Sequence, residues 1–147
     1  MREDFVKGVR EKEVRFCFVV LVLELRYNQF RKIKRGGVPM DKQMIDELVA
    51  GLLKIVDEQL VSVILYGSVA RGTASSESDV DVAMLIKGSL ASETEDALSD
   101  FIVDMNLKYD KVFSVIDIDI DNYEKWKAVT PFYKNVKQDG IVLWKAA

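Results

Sequence analysis

Two carboxylates one residue apart, Asp79 and Asp81, stand at the head of an apolar run, and a Gly67-Ser68 pair closes the apolar run before it. If both runs are strands, Asp79 and Asp81 point to one face, because strand side chains alternate with period two. Two carboxylates on one strand face repel each other, and a shared divalent cation is the simplest reason to keep them there. A small Gly-Ser turn beside them suits a phosphate, since backbone N–H groups can close around it. These residue types at this spacing point to a metal-dependent nucleotide site.

Composition narrows the metal. The chain has no histidine, and Cys17 is its only cysteine. That excludes histidine acid–base chemistry, histidine metal ligands, zinc–thiolate clusters and an intramolecular disulfide, and it fits a reducing cytoplasm. Any metal must bind through oxygen, which selects Mg²⁺, Mn²⁺ or Ca²⁺. The net charge of −3 argues against a broad nucleic-acid-binding surface. A length of 147 residues with 49% apolar and 31% charged residues fits one domain with a modest core.

The elements that must position these residues can be read in order. Asp41 can cap a helix running to about Glu58, with Ile45, Leu48, Val49, Leu52 and Val56 on one face. Residues 61–66 form a nearly continuous apolar strand, consistent with a central place in a sheet. Residues 67–78 are a turn with a short helix around Val69-Ala70-Arg71, and 80–86 are the second strand. Ser92 and Glu95 have the form of a capping box, and the helix they open buries Leu98, Phe101, Ile102 and Met105. A third strand spans 112–118. Asn122 caps a short helix through Trp126, Pro131 starts another, Gly140 ends it, and 141–144 form a last strand. The order is that of a small α/β (α+β) domain with a mixed sheet flanked by helices.

Residues 1–39 read differently. They carry ten Lys+Arg against five Asp+Glu, whereas the remainder is acidic. The apolar run at 16–23 is too short to span a bilayer, and no small-residue cleavage site follows it. Arg35-Gly36-Gly37 can be encoded by a bacterial ribosome-binding sequence at a suitable distance before Met40. The expectation is a poorly ordered N-terminal extension at 1–39, translated from an upstream region, and a domain at 40–147 with Met40 as its natural start.

Gly67-Ser68, ten residues, then Asp79-x-Asp81, with Ala70-Arg71-Gly72 between, resembles the nucleotidyltransferase domain of the DNA polymerase beta superfamily. More closely, residues 40–147 resemble the minimal nucleotidyltransferases, or MNT proteins, often encoded beside a HEPN-domain protein. The tail from Pro131 to Leu143 also resembles the end of such domains. The resemblance implies a polymerase-beta-like fold, two Mg²⁺ ions and ATP or another NTP as substrate. It implies that Asp79 and Asp81 hold the metals, and that Gly67 and Ser68 bind the β- and γ-phosphates. It also implies a third catalytic carboxylate on the next strand. Asp110 matches that position best, with Asp117 and Asp119 behind it; the run Asp117, Asp119, Asp121 reads first as a charged, solvent-facing strand edge. Arg71 could contact phosphate or pin the turn through an ion pair to Glu77 or a helix.

Phe101, Trp126, Phe132 and Tyr133 are expected in the core, with base stacking as a weaker reading of one of them. Lys134 and Lys137 are expected on a solvated face. The function implied is transfer of AMP from ATP to a hydroxyl, a tyrosine of a HEPN toxin, by a cytoplasmic antitoxin. A non-catalytic binding module and a small-molecule transferase of the aminoglycoside type are the alternatives. The larger relatives' acceptor-selecting helical domain does not fit in this length, so a partner is expected to complete the site. No membrane or nucleic-acid partner is expected, and a homo-oligomer stays open.

Overall fold

A computed structural model describes residues 40–147. The expectations for residues 1–39 lie outside the described residues. The element order is α1 (Lys42–Val56), a 3₁₀ turn (Asp57–Gln59), β1 (Leu60–Tyr66), α2 (Gly67–Arg71), β2 (Val80–Ile86), α3 (Ser92–Tyr109), β3 (Phe113–Asp119), α4 (Ile120–Trp126), α5 (Pro131–Asp139) and β4 (Ile141–Lys145). The four strands form one mixed sheet in the order β3-β2-β1-β4. β1 runs antiparallel to both β2 and β4, and β2 runs parallel to β3. The apolar 61–66 run is indeed central, hydrogen-bonded on both sides.

Each face of the sheet is covered by a different helix set. On one face, Val63 and Leu65 of β1 and Val80, Val82, Met84 and Ile86 of β2 pack with Leu48, Leu52 and Val56 of α1 and Met105 of α3. α1 is amphipathic at helical spacing, and the Asp41 carboxylate accepts the Gln43 N–H at its start, as its sequence predicts. Within this layer, Phe101 of α3 lies flat against Gly51 of α1. A Cβ built on Gly51 would fall 2.0 Å from the Phe101 ring, so a side chain at this position would force the ring to move. On the other face, Ile64, Ala83, Leu85 and Ile118 form a smaller cluster with Tyr123 of α4 and Val136 of α5.

Several local expectations are corrected. Ala91, not Ser92, is the N-cap of α3, and no side chain caps it; Glu95 N–H reaches the Ala91 carbonyl instead. α4 starts at Ile120 after Asp119, two residues ahead of Asn122, so Asp121 belongs to a helix and not to the strand edge. Trp126 and Phe132 are not core: they are 43% and 38% exposed. α4 and α5 are short, and each buries a single residue, Tyr123 and Val136 respectively, leaving no room for more.

Candidate active site

The site forms where β1 ends and β2 begins. Antiparallel pairing sets Tyr66 opposite Asp81, so both side chains stand on the face that α4 and α5 cover. The chain then turns sharply at Gly67, whose φ is +73°. A Cβ at this position would lie 2.2 Å from Asp81 Oδ2. Glycine is required twice over here: by the left-handed backbone and by the carboxylate against its Cα. The turn suited to phosphate and the strand that opens with the carboxylates are therefore in van der Waals contact, although thirteen residues lie between Gly67 and Asp81 in the chain.

From Gly67 the backbone winds into α2, a single short helical stretch. Gly72 ends it in the left-handed conformation, with its N–H on the Ser68 and Val69 carbonyls. Thr73 N–H also bonds the Ser68 carbonyl, at 3.0 Å. The following loop is closed by Ser75 N–H to Ser78 Oγ and Ser78 N–H to the Ser75 carbonyl, which delivers Asp79 to the head of β2. Among the described residues, the Ser68 hydroxyl has no hydrogen-bond partner in the protein and is free for a ligand.

The electrostatics are those of an under-compensated acidic pair. Burial, and then the nearby charge of Asp79, push the Asp81 carboxyl above the usual carboxylate range; Arg71 offsets this only in part. Burial and the charge of Asp81 likewise raise the Tyr66 hydroxyl. Arg71 Nη1 lies 3.8 Å from Asp139 Oδ2 at the end of α5, an exposed pair, so this guanidinium takes the ion pair to a helix while its field still reaches Asp81. A hard cation shared by Asp79 and Asp81 would relieve their repulsion, and two adjacent carboxylates with no histidine or thiol nearby are an oxygen-only donor set that fits Mg²⁺. The two residues fit a metal.

The third carboxylate does not join them. Asp110 is the C-cap of α3, in the left-handed conformation at φ +49° and ahead of β3, with its N–H on the Asn106 carbonyl. Asp117 and Asp119 pair with Met84 and Ile86, whose side chains belong to the α1–α3 face. They therefore face away from Asp81, and Asp119 accepts the Gly88 N–H. Among the described residues no three acidic side chains gather at one point. The β3 residue level with Asp81 on its own face is Ser114. Of the six residues expected in the site, Gly67, Ser68, Arg71, Asp79 and Asp81 are brought together, and Asp110 is not.

Sequence reasoning passed over Tyr66 and Ser114. Tyr66 carried a usable signal: it directly precedes Gly67, and it has the parity of Ile64, two residues back on the same strand. Ser114 carried none, because a parallel register is set by tertiary packing.

A small mixed sheet that presents a glycine–serine turn against paired strand aspartates defines a nucleotidyltransferase architecture. The chain belongs to the polymerase beta nucleotidyltransferase family: the model of the family described as Polymerase beta, Nucleotidyltransferase matches residues 52–147. It is 32% identical over 104 residues to Methanocaldococcus jannaschii "Putative protein adenylyltransferase MJ0604", covering 71% of this chain and 98% of that protein. It is 35% identical over 74 residues to "Putative protein adenylyltransferase MJ0141" of the same organism, covering 50% of this chain and 75% of that one. A chain of the solved complex of tri-AMPylated Shewanella oneidensis HEPN toxin with MNT antitoxin aligns at 17% identity, over 73% of this chain and 74% of its own, with a TM-score of 0.48. No helix among the described residues is long and apolar enough to cross a membrane.

Proposed function

We propose that the protein is a Mg²⁺-dependent adenylyltransferase that moves AMP from ATP to a hydroxyl of a partner protein, a tyrosine of a HEPN toxin, and so acts as its antitoxin. The observation that carries this reading is the contact of Gly67 with Asp81, which sets a phosphate-suited turn against the paired carboxylates. The names of the two archaeal relatives support the protein acceptor, and the resemblance to MNT proteins supports the HEPN partner. In this reading Asp79 and Asp81 hold the cation, and the Gly67 and Ser68 N–H groups with the Ser68 hydroxyl hold the β- and γ-phosphates. The bound cation supplies electrostatic stabilisation of the charge that develops on the α-phosphate and on the leaving group.

The residues of this chain then orient the reaction. The acceptor oxygen attacks the α-phosphorus in line, the bond to the β-phosphate oxygen breaks, pyrophosphate leaves, and the hydroxyl proton passes to solvent or a carboxylate. Asp79 is exposed and Asp81 half-buried, so the pair can be reached from solvent.

A second reading has its own observation. Asp117 and Asp119 face away, and among the described residues no group of three acidic side chains forms at the pair, which favours a non-catalytic antitoxin that blocks its partner by binding. Incubating the full chain with MgATP and the product of the neighbouring gene decides between them by mass spectrometry. An AMP adduct on the partner, lost in Asp79→Ala plus Asp81→Ala, supports transfer. No adduct, with toxicity still suppressed by the double variant, establishes the binding module.

A further inference from the structure

Tyr66, Tyr123 and Tyr133 are packed in or against the Ile64–Val136 cluster, whereas Phe132 and Trp126 belong to neither core. Of these two, Phe132 is the one in contact with other rings among the described residues. It is held firmly. Its ring meets Tyr66 edge-on, with centroids 5.5 Å apart and planes at 87°, and meets Tyr133 at 5.7 Å and 58°. Two aromatic contacts fix a large apolar ring whose surface stays 38% exposed. Such a ring does little for the core, and its position explains it: Tyr66, which braces it, lies opposite Asp81 and directly before Gly67.

We propose that Phe132, braced by Tyr66, is the stacking platform for the nucleobase of the bound nucleoside triphosphate. This rests on the nucleotide reading of the Gly67–Asp81 site and adds a contact for the other end of the same molecule. A nucleotide anchored by its phosphates at Gly67 and Ser68 must place its ribose and base off that turn. Tyr66 is the residue from which the turn departs, and Phe132 lies one ring contact beyond it. A fixed aromatic face takes any base through its π surface, with little regard for the base edge. Purines, with the larger face, then bind tighter than pyrimidines, and ATP and GTP differ little.

The test uses the full chain with MgCl₂ and two probes, ATP and inorganic tripolyphosphate, titrated by calorimetry. Phe132→Ala is expected to weaken ATP about tenfold to a hundredfold, the range for one lost base stack, and to leave tripolyphosphate unchanged. Phe132→Trp is expected to hold or tighten ATP, and Phe132→Leu to fall between. Equal weakening of both probes by Phe132→Ala would mean a damaged site, and unchanged ATP affinity with slower transfer to the acceptor would assign Phe132 to the acceptor side; either result overturns the proposal. Wild-type protein that binds tripolyphosphate and ATP equally well also overturns it while leaving the phosphate turn intact. Wild-type protein that binds neither probe removes the nucleotide reading itself, and the platform with it.

Discussion

The two faces of β2 are built for opposite purposes. Val80, Val82, Met84 and Ile86 are each at most 1% exposed, against α1 and α3. The alternate residues begin with exposed Asp79 and half-buried Asp81 and become apolar only at Ala83 and Leu85. One seven-residue strand and the residue before it thus carry the domain's core on one side, and on the other an acidic pair that folding would be easier without. The face toward α1 and α3 supplies burial, and with it the rigidity to hold like charges together. The face toward α4 and α5 has short helices and exposed aromatics, and it holds Asp81, with the Gly67 turn at its edge. Stability and chemistry should therefore separate by the side of the sheet that a substitution touches.

The largest effect that could break this separation is at the acidic pair. Asp79→Ala plus Asp81→Ala is expected to reduce nucleotidyl transfer about a thousandfold or more, the scale of several kcal/mol of lost charge stabilisation. Thermal stability should be unchanged or higher, because the charge of Asp79 and burial both disfavour ionised Asp81. A double variant that melts clearly below the wild type would show that the pair serves the fold.

The mirror experiment is Leu52→Ala on the opposite face. Leu52 is fully buried between α1 and the sheet, so its truncation should cost about 2–5 kcal/mol by chemical denaturation. ATP affinity per folded molecule should stay within twofold of wild type. Coupled loss of affinity would mean that the two faces are not separable. Gly67→Ala falls at the seam between them. It imposes a left-handed backbone on alanine and drives a methyl into Asp81 Oδ2. About 1–2 kcal/mol of stability should be lost, together with roughly tenfold or more of tripolyphosphate affinity, again by calorimetry. Retained affinity would remove Gly67 from the phosphate turn.

The same two faces explain what could be read from sequence. β2 was legible to its end residues because period two is strict and one face is wholly apolar. Asp79 and Asp81 followed from that parity, and α1 from its capping aspartate and regular stripe. Phe132 and Trp126 were misread as core because helical spacing does not say how much sheet lies beneath a short helix. The third carboxylate is a different case. The preference for Asp110 rests on the position that the resemblance gives it, with Asp117 and Asp119 behind it. Which β3 residue meets Asp81 depends on a parallel register fixed by Phe113 and Ile118 finding opposite cores. Asp110 sits at the left-handed end of α3, a turn that Asn106 pins by accepting the Phe113 N–H at 2.8 Å.

The smallest test concerns a polar tie on the outside of the stabilising face. Glu47 of α1 accepts Lys108 Nζ at 2.7 Å and the Tyr109 hydroxyl at 2.5 Å, both from the end of α3. The hydrogen bonds from Lys108 and then Tyr109 hold the Glu47 carboxyl below its ordinary value near 4.5. A carboxyl depressed in the folded state binds fewer protons there than in the unfolded chain. Its contribution is thus present above about pH 4.5 and is lost as pH falls through the lowered folded value. Hydrogen bonding to Glu47 raises Lys108 and Tyr109, so their share is present at neutral pH and fades only as alkaline pH passes their raised values. Glu47→Gln should lower the melting temperature slightly at pH 7, less so in high salt, because the pair is exposed and screened. The difference between variant and wild type should shrink toward zero as the melts are taken from pH 6 to pH 3. A difference that persists unchanged at pH 3 would mean that Glu47 acts through packing between α1 and α3 and not through its charge.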